Sequence, residues 1–105
     1  MEPSKKDWKL YREKIAGWQE TYMERLIKEY VDYLSSEAPA STKFWEMEKR
    51  IKRDKKTPGV SIELRKSTMI WDLVALINDG VITIEDLEEF SDDIKDAVNF
   101  ILHSR

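Results

Sequence analysis

The sequence predicts an all-α fold: a small bundle of four to five helices with a long N-terminal amphipathic helix. Three observations carry this. Apolar residues recur at helical spacing along nearly the whole chain. Only three Gly and three Pro occur in 105 residues, and Pro39 and Pro58 fall between periodic segments. Finally, Asn78-Asp79-Gly80 followed by VITIEDLEEF reads as a helix stop, a short link and a helix start. A chain of this length makes one domain, residues 1–105, with one modest core.

The first helix is expected from Ser4 or Asp7 to Leu34. Trp8, Tyr11, Ile15, Trp18 and Tyr22 are spaced 3, 4, 3 and 4 apart, a narrow heptad seam. Beyond Tyr22 the stripe widens through Met23, Leu26, Ile27, Tyr30, Val31, Tyr33 and Leu34. The widening predicts a C-terminal half embedded in the domain and an N-terminal half that outruns it. Gly17 interrupts the seam and marks a bend or a close helix contact. The stretch Ser35–Ser41 is a loop.

A second helix begins near Ser41 or Thr42 and stops before the turn signal Thr57-Pro58-Gly59. Phe44, Met47 and Ile51 form its expected buried face, with Trp45 flanking. The third helix, Ser61 to Asn78, is apolar over much of its circumference at Met69, Ile70, Leu73, Val74, Leu76 and Ile77, which makes it the central core helix. Gly80 closes it in the left-handed conformation. Thr83 with Asp86 forms an acidic capping box, and Ile82 with Leu87 a hydrophobic staple, for a short fourth helix to Phe90. Ser91 caps the last helix, which carries Ile94, Ala97, Val98, Ile101 and Leu102.

Charge is segregated. Residues 43–56 hold seven basic and three acidic side chains, whereas residues 79–96 hold eight acidic and one basic. The net charge of −3 therefore conceals two opposed segments. The N-terminal stretch has no uninterrupted apolar run, so no secretory signal is expected there. No segment has the roughly 20 apolar residues of a membrane span. The absence of Cys removes disulfides, thiolate metal sites and thiol nucleophiles, and suits a cytoplasmic location.

Asp79-Gly80-Val81-Ile82-Thr83 with Glu85 and Asp86 resembles the second half of an EF-hand calcium loop. Gly80 stands as the turn glycine and Ile82 as the aliphatic position. The first and third ligand positions fall on Ala75 and Ile77, which carry no side-chain oxygen, and the twelfth on Asp86 in place of Glu. No metal and no cofactor are expected. His103 is the one histidine and lies near the C-terminus, so neither a Ser-His-Asp constellation nor a His-rich metal site can be assembled. The carboxylates of residues 85–93 read as capping and surface groups, and no enzyme activity is expected.

Two functional readings remain. The first is a cytoplasmic helical protein–protein interaction or assembly module, homodimeric through the N-terminal helix or bound to a larger protein. Its interface would be the seam Trp8, Tyr11, Ile15, Trp18 and Tyr22, because aromatic side chains are enriched in interface cores. Packing of the same seam inside a monomer is the structural alternative. The second reading is a nucleic-acid-associated regulatory protein using the basic helix 43–56. There Lys49, Arg50, Lys52, Arg53, Lys55 and Lys56 would lie along phosphates and Trp45 would stack on a base. Against it stand the acidic net charge and the opening Ser61-Ile62-Glu63-Leu64 of the helix that would read bases.

Overall fold

A computed structural model describes residues 2–104. Among them all regular structure is helical and there is no strand. Four α-helices follow one another: α1 Lys5–Leu34, α2 Ala40–Asp54, α3 Met69–Asn78 and α4 Asp92–Leu102. Two 3-10 turns, Lys66–Thr68 and Ile84–Leu87, complete the chain. The count is four: the expected helix from Thr83 to Phe90 is a single 3-10 turn.

The body of the molecule is built on the first half of α1. Tyr11, Ile15, Met69, Leu73, Leu76, Leu87, Ile94 and Val98 are buried in one cluster drawn from α1, α3, the Ile84–Leu87 turn and α4. The third helix is central to it, with Met69, Leu73 and Leu76 fully enclosed. It starts eight residues later than Ser61. The stretch 61–65 carries no helix, and Arg65 is extended at φ −131° and ψ 131°. An extended residue advances about 3.3 Å against 1.5 Å in a helix, so this form lets a few residues carry the chain from α2 back to the body.

The end of α3 follows its local sequence. Gly80 takes φ +73°, its amide bonds the Ile77 carbonyl at 3.0 Å, and the Val81 amide bonds the Leu76 carbonyl at 2.9 Å. This pairing is the Schellman arrangement, with buried Val81 and Leu76 as its apolar contact. The Asp86 carboxylate then accepts from the Thr83 amide at 2.7 Å, forming the capping box. The helix it opens stops because Phe90 is buried and the next residue is held elsewhere. The Ser91 amide and hydroxyl donate to Asp7, at 3.0 and 2.6 Å. The Ser4 hydroxyl donates to the same carboxylate at 3.0 Å. One buried side chain thus ties the starts of α1 and α4 together across 84 residues. Burial by itself raises the Asp7 carboxyl, but the Ser91 and Ser4 donors outweigh it and leave the group below its ordinary value.

Beyond Tyr22, α1 leaves the body and pairs with α2 as a projecting helical hairpin. Thirty residues of α1 run about 45 Å at 1.5 Å per residue, which accounts for most of the 51 Å long axis. The base of the hairpin is fixed by α1 side chains. Gln19 donates to the Pro58 carbonyl at 3.0 Å and Arg25 to the Gly80 carbonyl at 2.6 Å. The Tyr22 ring packs against Gly59, where an added Cβ would collide with one edge of the ring.

Candidate functional site: the apolar face of the hairpin

The two halves of α1 reverse the expected pattern. The seam is turned toward the chain's own core: Tyr11 and Ile15 are buried in it, and Trp8, Trp18 and Tyr22 pack partly buried against it. Its rings form a ladder, with centroids 5.9 Å apart for Trp8 and Tyr11, 6.4 Å for Tyr11 and Trp18, and 6.3 Å for Trp18 and Phe90. The five residues expected to form an interface thus pack on the chain's own core, Tyr11 and Ile15 wholly and Trp8, Trp18 and Tyr22 in part. The physical reason is the apolar surface of α3 and α4, which must be buried and finds the seam at the right distance.

The widened half of the stripe is the part left open. Ile27 is 56% exposed, Val31 55% and Leu34 45%. The face expected to be buried on α2 is open as well, with Phe44 67% and Ile51 45% exposed. Asp54 is the buried residue of α2. Two helices alone offer each other one flank, and the flank between α1 and α2 is largely polar. There the Arg50 guanidinium stacks 4.1 Å from the Tyr33 ring. The Tyr30 hydroxyl donates to Asp54, and Arg53 Nε donates to the same carboxylate at 3.0 Å. Burial pushes the Tyr30 phenol up to about 12, with the Asp54 hydrogen bond and charge adding to it. For Asp54, burial raises the carboxyl, and the Arg53 and Tyr30 hydrogen bonds with the Arg53 and Arg50 charges bring it net below its ordinary value.

Of the open side chains, Ile27, Leu34, Phe44 and Ile51 line one groove. An outer cleft of about 510 Å³ lies between Leu34, Phe44, Met47 and Ile51, with Glu48, Lys52 and Lys55 on its rim. A basal cleft of about 250 Å³ lies among Met23, Ile27, Tyr30, Ile51 and Val60. Ile51 and Lys55 belong to both, so the groove is continuous from the tip of the hairpin to its base. Its rim holds both signs of charge.

The basic residues of α2 are dispersed. Arg50 pairs with Glu46 at 3.0 Å, Lys52 with Glu48 at 3.8 Å and Arg53 with Asp54 at 3.0 Å. By helical spacing Lys49 and Lys56 share the outer face with Trp45, which is 58% exposed, whereas Lys52 and Lys55 border the groove. Among the described residues no ion pair joins this helix to the acidic segment 79–96; the pair that reaches that segment is Lys14 with Glu89 at 2.9 Å.

The half EF-hand run is occupied by its own structure. Ala75 and Ile77 lie inside α3, and Asp86 is engaged by the Thr83 amide. Among the described residues no three His, Cys, Asp or Glu side chains gather as a metal site, and no helix is long and apolar enough to cross a membrane. His103 is exposed, with Nδ1 2.8 Å from the Asn99 carbonyl.

The signal for the groove stood in the sequence as the stripe Ile27, Val31, Leu34 and the face Phe44, Met47, Ile51. Nothing in that spacing told which stripe would be covered. No family model, no curated protein and no solved structure matches this chain.

Proposed function

We propose that this chain is a non-enzymatic helical interaction and assembly module of the cytoplasm, and that its contact surface is the apolar face of the projecting hairpin. The observation that supports this most is the exposure of Ile27, Val31, Leu34, Phe44 and Ile51 together, on one face, beside a core built without them. Single exposed apolar residues are ordinary; a continuous apolar groove across two helices is the mark of a recognition surface. Its shape suits an apolar helix laid into it, the arrangement in which anchors at three- and four-residue spacing fill successive clefts. The pinned base of the hairpin, through Gln19, Arg25 and the Tyr22 ring on Gly59, holds the face at a fixed angle to the body. The absence of Cys agrees with a reducing compartment.

The test is site-specific photocrosslinking in cells that produce the chain. A photoreactive residue at Phe44 should give covalent adducts, while one at Asp92, exposed on the body, should not. Equal labelling at both positions, or none at Phe44, removes the hairpin face as the contact surface.

Trp45, Lys49 and Lys56 on the outer side of α2 favour a second reading, nucleic-acid association. The pairing of Arg50 and Arg53 with carboxylates weakens it. Binding to single-stranded DNA should be weak and disappear by about 150 mM salt, because so few free cations release few counterions. Sequence-selective binding retained at that salt in a gel shift would turn the reading to nucleic acid.

A further inference from the structure

We propose that the occupant of the hairpin groove is a second copy of this chain, its hairpin laid antiparallel across the first so that four helices close into a bundle. This rests on the reading of the groove as the contact surface and goes beyond it by naming what fills it. A helical hairpin with one apolar face is half of a four-helix bundle, and a second such layer is the simplest cover for it.

The face is self-complementary in shape. Ile51 sits where the basal and outer clefts meet. A two-fold axis through Ile51, perpendicular to the helices, exchanges the two ends of the groove. The Phe44 ring of each copy then falls on the basal cleft of the other, beside Met23 and Val60, and Ile27 faces Leu34. The two bodies lie at opposite ends of the pair.

Charge selects the same arrangement. On the groove side of α2, Glu48, which also pairs with Lys52 of its own helix at 3.8 Å, stands three residues before Ile51 and Lys55 four residues after it, both at the groove. Antiparallel pairing about Ile51 sets Glu48 of each copy opposite Lys55 of the other, twice. Parallel pairing would set Glu48 on Glu48 and Lys55 on Lys55. An isologous two-fold contact demands such self-complementarity, and rim charges of this kind fix register and orientation. A face of this length, about 18 Å over twelve residues of α1, points to a dimer of micromolar affinity rather than an obligate one.

The experiment measures the mass of the full chain by light scattering from about 1 μM to about 1 mM, the range that brackets such an affinity. The mass should rise from 12.5 kDa to twice that value. Glu48→Lys and Lys55→Glu, both at the solvent-facing rim, should each weaken the dimer about tenfold, and the double reversal should restore it to within about threefold. Because the chain has no Cys, Ile51→Cys introduces one thiol, which should form a disulfide-linked dimer under air. Phe44→Cys should not, since the two positions lie about 20 Å apart in the antiparallel pair, seven residues to either side of the axis. A mass of 12.5 kDa at every concentration overturns the proposal. So does a dimer indifferent to both reversals, or one that links through Phe44→Cys and not Ile51→Cys. If the chain stays monomeric while the Phe44 crosslinker captures a different protein, the hairpin reading stands and this one falls.

Discussion

From Lys5 to Tyr22, α1 lies against α3, α4 and the turn between them; from Met23 to Leu34 it has α2 on one flank and solvent on another. Both halves carry apolar residues at three- and four-residue spacing. The first half holds Tyr11 at 0% and Ile15 at 4% exposure; the second encloses Leu26 at 8% but leaves Ile27 and Val31 above one half. What separates them is the chemistry of the neighbour. Helix α3 is apolar over much of its circumference, so the seam is drawn into a core, with Trp71 left outside it at 63% exposure. Helix α2 offers α1 a stacked guanidinium and a buried carboxylate, Arg50 and Asp54, and keeps Phe44 and Ile51 for the outside. The body is stabilised by burial, whereas the hairpin is positioned by polar ties and left with its apolar face unspent.

The contrast breaks most visibly under truncation. Leu73→Ala, in the body, should cost about 2–5 kcal/mol by removing a fully enclosed side chain and leaving a cavity. Trp18→Ala should act in the same direction, lowering the melting temperature. Phe44→Ser, on the hairpin, should change stability by no more than about 0.5 kcal/mol. Thermal melts at low micromolar protein check this, because association at higher concentration would itself raise the transition. A large loss from Phe44→Ser in the dilute chain would erase the distinction between the two regions.

Gly59→Ala probes the joint between them. The added methyl meets the Tyr22 ring, which is held over the turn, and overpacking of this kind costs about 1–3 kcal/mol. Chemical denaturation should show the loss, and the hairpin amides should exchange faster than those of α3. Unchanged exchange in the hairpin would mean that the turn is not what holds its base.

Acid sharpens the comparison, because each region contains one buried carboxylate held below its ordinary value: Asp7 in the body and Asp54 in the hairpin. A lowered folded pKa contributes stability that is fully present above the unfolded value near 3.8 and is lost as the pH falls through the lower folded value. Asp7→Asn should therefore flatten the loss of body structure below about pH 4, and Asp54→Asn that of the hairpin. Single-tryptophan variants separate the two, with Trp18 reporting on the body and Trp45 on the hairpin. An acid transition unmoved by either substitution would assign the loss to other groups.

The smallest effect is a gain. Gly17 lies exposed in the interior of α1 with nothing near its absent side chain. Gly17→Ala should add about 0.5–1 kcal/mol through helix propensity alone. A loss would show that α1 needs freedom at that point, between the half that is buried and the half that is not.

Local chemistry was legible where a few adjacent residues satisfy one another. Gly80 ends α3, Asp86 turns back to Thr83, Ser91 starts α4, and the all-helical class follows from spacing. The later start of α3 was not legible, because Ser61–Arg65 is extended to meet a distance that only the placed helices define. The short turn at Ile84–Leu87 was hidden for a like reason, since the hold of Asp7 on Ser91 reaches across 84 residues.

By itself, then, the sequence determined the helical class, where α1, α2 and α3 stop and which face of each helix is apolar, because these depend on neighbours within a turn or two. Tertiary structure alone decided which apolar face is covered. That choice is a competition among surfaces for burial, and the Trp8–Tyr22 seam won the apolar flanks of α3 and α4, leaving Ile27, Val31, Leu34, Phe44 and Ile51 open on the hairpin.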